Sequence, residues 1–479
     1  MKNNIRCLGY IILASFVVLA FYVGYVNVFM GPALATDPHN GRLAAWEAGI
    51  KRGTIFDRQG VVLAKTENGR RVYPLGQDTA QVVGFISRRY GRTGLESAYD
   101  RYLLGMTDDD KIQALINRLL GRPRVGNDLV VTLDARLQHL ARELLGQRKG
   151  AVAALDPRSG AILALASSPG FDPNQIDQPA AVPGRNNGTV YDLLQRDPNA
   201  PLLNRAAQGA YPPGSTFKIV TGAGALTADP SVSKRIFNCQ GSLTVDGFKL
   251  PDLAAHGAVD FRRAMAVSCN TTFATLGLEL GVERFYQNAL AFGLTRNPWE
   301  HNLPGVPGSP ELDYRPGTLT PPKKMTRPEL ASSAIGQGEV LVNPLQMALA
   351  AAAIAHNGVI MRPHLLERIQ EPGGRTLVKA APQAWLTATS PAVAAVVKEA
   401  MVAVVREGTG KGAALPGVTV AGKTGSAQNP RGDTHAWFVA FAPAEEPRVV
   451  VAVIIENGGA GGAVAAPVAR EVIRAALAG

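Results

Sequence analysis

Read for its apolar and polar positions, the chain opens with a nearly unbroken apolar run over residues 7–30, preceded by Lys2 and Arg6, with Asn27 as its most polar member. A helix of that length covers the hydrocarbon core of a bilayer, so a transmembrane anchor is expected. Basic residues on its short N-terminal side place that end in the cytoplasm and the remainder on the extracytoplasmic side. Ala33-Leu34-Ala35 resembles a signal-peptidase site, but the run exceeds the usual signal core, which favours an uncleaved single-pass helix. Residues 36–123 are mixed, polar and rich in Arg and Gly, with strand-like runs at 61–64 and 81–85. They read as a small β-containing stalk.

Further along, residues 129–132 read as a strand and 133–145 as an amphipathic helix with Leu137, Leu140, Leu144 and Leu145 on one face. Residues 151–155 and 161–166 flank a turn-rich joint and form a hairpin. The middle, from 215 to about 294, is helical by pattern, with apolar positions three and four apart at 262–267, 271–280 and 282–292. Residues 303–328 are dense in Pro and Gly and are expected to be a long surface loop, followed by a helix at 344–357. The last third returns to strands: Val418 and Val420 lead into Lys423, Trp437, Val439 and Phe441 alternate, and 449–455 is apolar throughout. A helix at 466–477 closes the chain. Helices, then an antiparallel sheet with the Lys423 strand at its edge, then a helix make an α+β domain. The expected division is 1–35 cytoplasmic stub and anchor, 36–125 stalk, and 126–479 catalytic domain.

Composition narrows the function. A net charge of +11 without Lys/Arg blocks or aromatic-basic interleaving gives no nucleic-acid footprint, and diffuse basic charge outside a membrane suits anionic lipid or wall polymers. Cys7, Cys239 and Cys269 are scattered without metal-ligand spacing, and seven dispersed histidines carry no HExxH signature, so neither a disulfide framework, a zinc site nor a cofactor is expected.

The chemistry lies in three short motifs in one order: Ser215-Thr216-Phe217-Lys218, Ser268-Cys269-Asn270 and Lys423-Thr424-Gly425-Ser426. Together they supply a hydroxyl nucleophile, a lysine base, a second Ser/Lys pair and a strand edge to hold a substrate. Ser231-Val232-Ser233-Lys234 repeats the SxxK spacing but sits among Asp229, Pro230 and Arg235, a solvated turn. Ser215 instead follows Tyr211-Pro212-Pro213-Gly214 and precedes Phe217, Ile219, Val220, Ala223 and Leu226 at helical spacing, which puts Lys218 one turn along on the same face. Taken alone, Ser268 and Asn270 could cap the helix after them, and the Lys423 motif could be a hairpin end. Asp57 and Arg58 read as stalk fixtures, the Gly336 to Glu339 turn as structural, and His435 as a strand histidine with a satisfied hydrogen bond.

At these residues the chain resembles the class B penicillin-binding proteins, and most closely their compact penicillin-binding protein A type. Arg52-Gly53-Thr54-Ile55-Phe56-Asp57-Arg58, Gly94-Leu95-Glu96, Asn204-Arg205-Ala206, Gly336-Gln337-Gly338-Glu339 and His435-Ala436-Trp437-Phe438 carry the likeness beyond the three motifs. The resemblance implies a membrane-anchored peptidoglycan D,D-transpeptidase of cell-wall synthesis, associated with division. Ser215 would form an acyl-enzyme with a stem pentapeptide donor, passed to an amine acceptor. It implies Lys218 as the base, its pKa lowered by burial and by the Lys423 ammonium. Ser268 would be the proton relay held by Lys423, Asn270 a substrate and Lys218 contact, and Thr424 and Lys423 the carboxylate site. The Ser215 and Ser426 amides would form the oxyanion hole, with Thr424, Gly425 and Ser426 as the substrate-binding residues. β-Lactams would acylate Ser215, and a polytopic glycosyltransferase would be the partner. Ser426 and Cys269 depart from the common pattern, Cys269 pointing away from the site, and Asn343 has no assigned role. The alternatives are a D,D-carboxypeptidase or β-lactamase, with water as acceptor, and a penicillin sensor or division scaffold.

Overall fold

Alternation of Trp437, Val439 and Phe441 with Ala436, Phe438 and Ala440 builds the strand next to one edge of a five-stranded antiparallel sheet in the computed structural model, which describes residues 2–26, 30, 49–106, 125–301, 310–429 and 432–479. The strands run in the order Ala421–Ala427, His435–Ala442, Val449–Ile455, Gly150–Leu155, Ile162–Ser168, leaving the Lys423 strand on an edge. Both faces are covered, which is why Val449–Ile455 is apolar at every position. Val450, Ala452 and Ile454 join one core with Trp437, Val439, Phe441 and the wholly buried helix Pro344–Ala355. Val451, Val453 and Ile455 join a second core with Phe438 and helices Ala135–Leu145 and Gly461–Ala478. The anticipated α+β architecture is therefore three-layered, and its last helix begins earlier than the apolar pattern indicated.

The stalk is stitched to this body. A six-stranded sheet runs Thr376–Lys379, Leu366–Gln370, Asp128–Val131, Ile55–Phe56, Val62–Glu67, Arg70–Val72, so that strands on both sides of residue 125 share one ladder. Ile55–Phe56 pairs in parallel with Leu129 and Val130. Asp57 is buried and accepts the amides of Gln59 and Val61 at 2.8 Å and Ala135 at 3.0 Å, whereas Arg58 is exposed. Asp57 alone of the pair is the fixture.

Four expectations change. Residues 81–85 were expected as a strand but lie in and after the helix Ala80–Val83, because Gly84 (φ 82°) turns the chain where a Cβ would strike the Thr93 carbonyl at 2.0 Å. Residues 237–259, expected to be helical, form two short ribbons, Phe237–Cys239 with Gly257–Val259 and Ser242–Val245 with Phe248–Pro251. Of the expected surface loop at 303–328, residues 303–309 lie outside the described residues and the following part dips inward: Glu311 is buried, accepts Tyr99 Oη at 2.6 Å, Trp299 Nε1 at 3.2 Å and the Leu366 amide at 2.7 Å, and pins its segment to the stalk. Asn343 also gains a role. It caps helix Pro344–Ala355 through the Gln346 amide (2.8 Å) and donates to the carbonyls of Ala207 (3.0 Å) and Arg315 (2.8 Å). The helix Lys2–Tyr25 contains a 20-residue segment, Arg6–Tyr25, apolar enough to cross a membrane and unburied by the rest of the chain. Asn27 and Ala33-Leu34-Ala35 lie outside the described residues.

A buried ion cluster ties the stalk together. Glu96 has no exposed surface and faces Arg52 at 2.8 Å and Arg71 at 2.6 Å, while Arg52 also reaches Asp100 at 2.6 Å. Burial would raise the Glu96 carboxyl, but Arg71 and Arg52 outweigh it and hold its pKa below the usual value. Glu96→Ala takes the carboxylate from the buried side chain of Arg71, leaves Arg52 with Asp100 alone, and is expected to cost about 3–5 kcal/mol of stalk stability. The measurement is thermal unfolding combined with proteolysis of the 49–106 segment; an unchanged midpoint and protection pattern would refute it.

Candidate active site

Sharp backbone geometry fixes Ser215 before any side chain acts. Gly214 (φ 54°) donates its amide to the Gly336 carbonyl at 2.8 Å, and a Cβ on Gly336 would lie 2.1 Å from the Gly214 carbonyl. The Gly336 turn therefore props the residue before Ser215. Trp437 Nε1 donates to the Pro212 carbonyl at 3.0 Å, and Tyr211 Oη donates to Glu456 at 2.8 Å, itself paired with Arg205 at 2.9 Å. Ser215 then sits half-buried in the 3-10 turn Gly214–Phe217, which runs directly into the helix Lys218–Ala228. A Cβ on Gly214 would be 3.2 Å from the Ser426 carbonyl and the Ala427 amide, so this turn lies against the edge strand.

The side chains converge from the three motifs. Lys218 and Lys423 have no exposed surface. Lys218 Nζ donates to the Ser268 carbonyl and Asn270 Oδ1, both at 2.7 Å, and lies 3.3 Å from Ser268 Oγ. Lys423 Nζ donates to Ser268 Oγ at 2.8 Å and to the Thr424 carbonyl at 3.1 Å. Ser268 is held in the left-handed region at φ 60°, a conformation non-glycine residues rarely adopt. The possible capping role of Ser268 and Asn270 is not realised. Cys269 is the N-cap residue of helix Asn270–Ala291 without a side-chain capping bond, and Asp252 takes the cap by accepting the Thr271 amide at 2.9 Å. The decoy Ser231 is exposed in a separate 3-10 turn.

Electrostatics follow from burial. Desolvation lowers the Lys218 pKa to about 7, opposed by the charges of Asp252, Cys269 and Cys239. Desolvation also holds Lys423 well below its ordinary value, and the Lys218 charge adds to it. The expected push of Lys423 on Lys218 thus runs the other way. An uncharged amine has two N–H donors and one lone pair. The two short bonds to Ser268 O and Asn270 Oδ1 use both donors and leave Lys218 able to accept a proton.

Sequence reasoning missed three features. Thr409 Oγ1 lies 2.6 Å from Thr424 Oγ1 and extends the hydroxyl pair beside Lys423; its setting between Gly408 and Gly410 was the available signal. The Tyr211, Glu456 and Arg205 brace was also unread. Most consequential, Cys239 and Cys269, expected to be unrelated, lie with Asp252 and His256 so that their potential ligand atoms are all within 4.8 Å of one another. His435 behaves as anticipated, accepting the Asn457 amide at 3.1 Å.

Residues 150–474 match the penicillin binding protein transpeptidase domain, and residues 52–129 match the penicillin binding protein A dimerisation domain. The chain belongs to the penicillin-binding protein transpeptidases. It is 36% identical to the peptidoglycan D,D-transpeptidase PbpA of Mycolicibacterium smegmatis, across 100% of this chain and 99% of that one. The fold is similar to penicillin-binding protein A from M. tuberculosis in its ceftriaxone acyl-enzyme complex, with TM-score 0.80, 35% identity, and coverage of 90% of this chain and 99% of that one. It is also similar to the D,D-transpeptidase domain of a peptidoglycan glycosyltransferase from Eggerthella lenta, with TM-score 0.77, 33% identity, and coverage of 89% and 98%.

For this penicillin-binding protein the buried amines carry a stability signature. The folded Lys218 value of about 7 lies below its unfolded 10.5, so between those values the unfolded chain holds more protons. Stability therefore rises with pH across that window, with Lys423 acting in the same direction. Lys218→Met is expected to raise the thermal midpoint near pH 8 and to flatten its pH dependence. Midpoints measured from pH 7 to 10 with an equally steep slope in both proteins would contradict this account.

Proposed function

We propose that this chain is a peptidoglycan D,D-transpeptidase working through an ester on Ser215. The observation that carries the reading is the double engagement of Lys218 with Ser268 O and Asn270 Oδ1, both at 2.7 Å. It fixes an amine with a pKa of about 7 one helical turn from Ser215. Lys218 takes the Ser215 proton as the hydroxyl attacks the penultimate D-Ala carbonyl of the stem pentapeptide. The Ser215 and Ser426 amides receive the developing oxyanion. Ser268, held by Lys423, passes a proton to the departing D-Ala amine. Asn270 orients Lys218 and the substrate amide, and Thr424 and Lys423 receive the terminal carboxylate at the strand edge beyond Gly425. The amine of a neighbouring stem then releases the cross-linked product. A β-lactam opens on Ser215 in the same way.

The apolar helix supports a single-pass anchor with the N-terminus in the cytoplasm and the catalytic domain, 126–479, outside the membrane beyond a stalk at 36–125. A polytopic glycosyltransferase supplying nascent strands, and a place in division, fit that arrangement.

Three measurements test the reading. Wild-type protein is expected to take a stable label from a fluorescent penicillin and Ser215→Ala to take none; an equally labelled variant would sink the assignment. With a pentapeptide donor and an amine acceptor, cross-linked product is expected in excess of free acid, whereas acid alone would mark a carboxypeptidase. The acylation rate should fall about tenfold per pH unit below pH 7 and level off above it, because the base must be uncharged. Lys218→Arg, always charged, should lose roughly 10²–10⁴-fold at every pH. A flat pH profile for the wild type would remove Lys218 from the base role.

A further inference from the structure

A cavity of about 240 Å³ opens on the seam between the stalk and the catalytic domain. Its floor is apolar: Phe85 of the stalk lines it together with Phe171 and Leu312, and all three are buried. Phe85 packs edge to face on Phe171 and on Tyr191, with ring centroids 6.2 and 5.8 Å apart, which fixes the shape of that floor. Four polar side chains surround it: Gln81 of the stalk, Asn204 and Gln208 at the two ends of the short helix Arg205–Gln208, and Asp313. They hold one another in place. Gln208 Nε2 donates to Asp313 Oδ2, and Gln208 Oε1 accepts the Asn204 amide at 3.1 Å. Gln81 Nε2 donates to the carbonyls of Pro169 at 3.2 Å and Pro201 at 3.0 Å. Asn204, only 5% exposed, donates to the Gln81 carbonyl at 3.4 Å and accepts Ser167 Oγ at 3.3 Å. Among the described residues this leaves two acceptors, Gln81 Oε1 and Asp313 Oδ1, and one N–H each on Asn204 and Gln208.

The lining selects the occupant by exclusion. Among the described residues no Lys, Arg or His lines the cavity and its one charge is the Asp313 carboxylate, so a phosphate or a β-lactam carboxylate is repelled. A cation finds a single carboxylate that is exposed and already accepts from Gln208, which is a weak hold. The volume lies below the roughly 300–1,000 Å³ that drug-sized ligands fill. A small neutral molecule with an apolar face and hydroxyls on its edge meets every feature, and one sugar ring is that molecule. An N-acetyl substituent adds a methyl group for the Phe85 and Phe171 floor and an amide for the unused acceptors.

We propose that this seam cavity is a saccharide site that takes one N-acetylhexosamine ring of a glycan strand, separate from the cleft at Ser215. That the strand is peptidoglycan rests on the transpeptidase reading, whereas the neutral sugar ring rests on the lining alone. None of the lining residues belongs to the three motifs. A second hold on the same polymer turns each later encounter of a stem peptide with Ser215 into an event at high effective concentration. The site also shares an element with the support of the nucleophile. Between Asn204 and Gln208 the short helix carries Arg205, whose pair with Glu456 at 2.9 Å braces Tyr211, and Tyr211 begins the turn that delivers Ser215. With walls from both the stalk and the catalytic domain, a bound ring fastens the two together at that helix.

The probes are N-acetylglucosamine and its β-1,4-linked trimer, titrated by calorimetry onto the full chain in a detergent without a sugar head group. One site per chain is expected, with a Kd on the order of 1 mM for the single sugar. Added salt should leave the affinity unchanged, as a neutral ligand requires. Binding should persist in Ser215→Ala and in protein first acylated with penicillin G, so a failure of penicillin labelling and a failure of sugar binding are separate results. Leu202→Trp, which fills the cavity from its wall, should abolish binding. Asp313→Ala, at an exposed position, should weaken it at least about tenfold, and it keeps the proposal testable if the tryptophan variant fails to fold. Glucose, which lacks the acetyl group, should bind more weakly than N-acetylglucosamine. Absence of saturable binding by either probe, equal affinity in wild type and Asp313→Ala, glucose binding as tightly as N-acetylglucosamine, or displacement of the sugar by penicillin acylation would each overturn it.

Discussion

Two lysine ammonium groups cannot sit together in a dry interior, and the site is built on that prohibition. Lys218 and Lys423 are fully buried around one serine hydroxyl. Desolvation and mutual repulsion oppose a double charge there. The protein accepts the conflict because each amine finds short, directed acceptors, and because the acceptors come from rigid places: a residue locked at positive φ, the first turn of a long helix, and the edge of a sheet whose faces are both packed. Ser215 is held independently, by backbone contacts from the Gly336 turn and from Trp437.

That division of labour explains the layered scaffold. The Lys423 strand is an edge, free on one side to receive an extended peptide, while its other side is hydrogen-bonded residue for residue to 435–441. The helix that starts at Asn270 brings its motif to the same point only because Asp252 supplies the cap that neither Ser268 nor Asn270 can give while bonded to lysine. One side chain cannot serve as both the helix cap and the hydrogen-bond partner of a buried lysine.

The three motifs were legible because each is compact: residues three apart on a helix, or adjacent on a strand, meet in space by local geometry. The same locality made the sheet and the 344–355 helix readable. What escaped is non-local. Cys239 ends a ribbon strand, and Asp252 and His256 lie between two others; these strands of three or four residues are too short to show a period, and their apolar members resembled the helices on either side. Glu311 lay in a Pro- and Gly-rich stretch whose composition indicated surface, yet it satisfies donors from the stalk, Trp299 and Leu366. Reading Lys423 as the perturber of Lys218 failed for a related reason. Spacing says that two lysines are close, but not which of them loses more solvent.

The shared ladder across residue 125 bears on how such a protein can be cut. A polypeptide begun at residue 126 would keep all three motifs, yet Asp128–Val131 would lose its parallel partner at Ile55–Phe56 and expose a new strand edge. Glu311 would lose the hydroxyl of Tyr99 at the same stroke. The piece that contains all the chemistry is therefore not the smallest piece that folds cleanly, and a soluble version has to begin upstream of the first stalk strand.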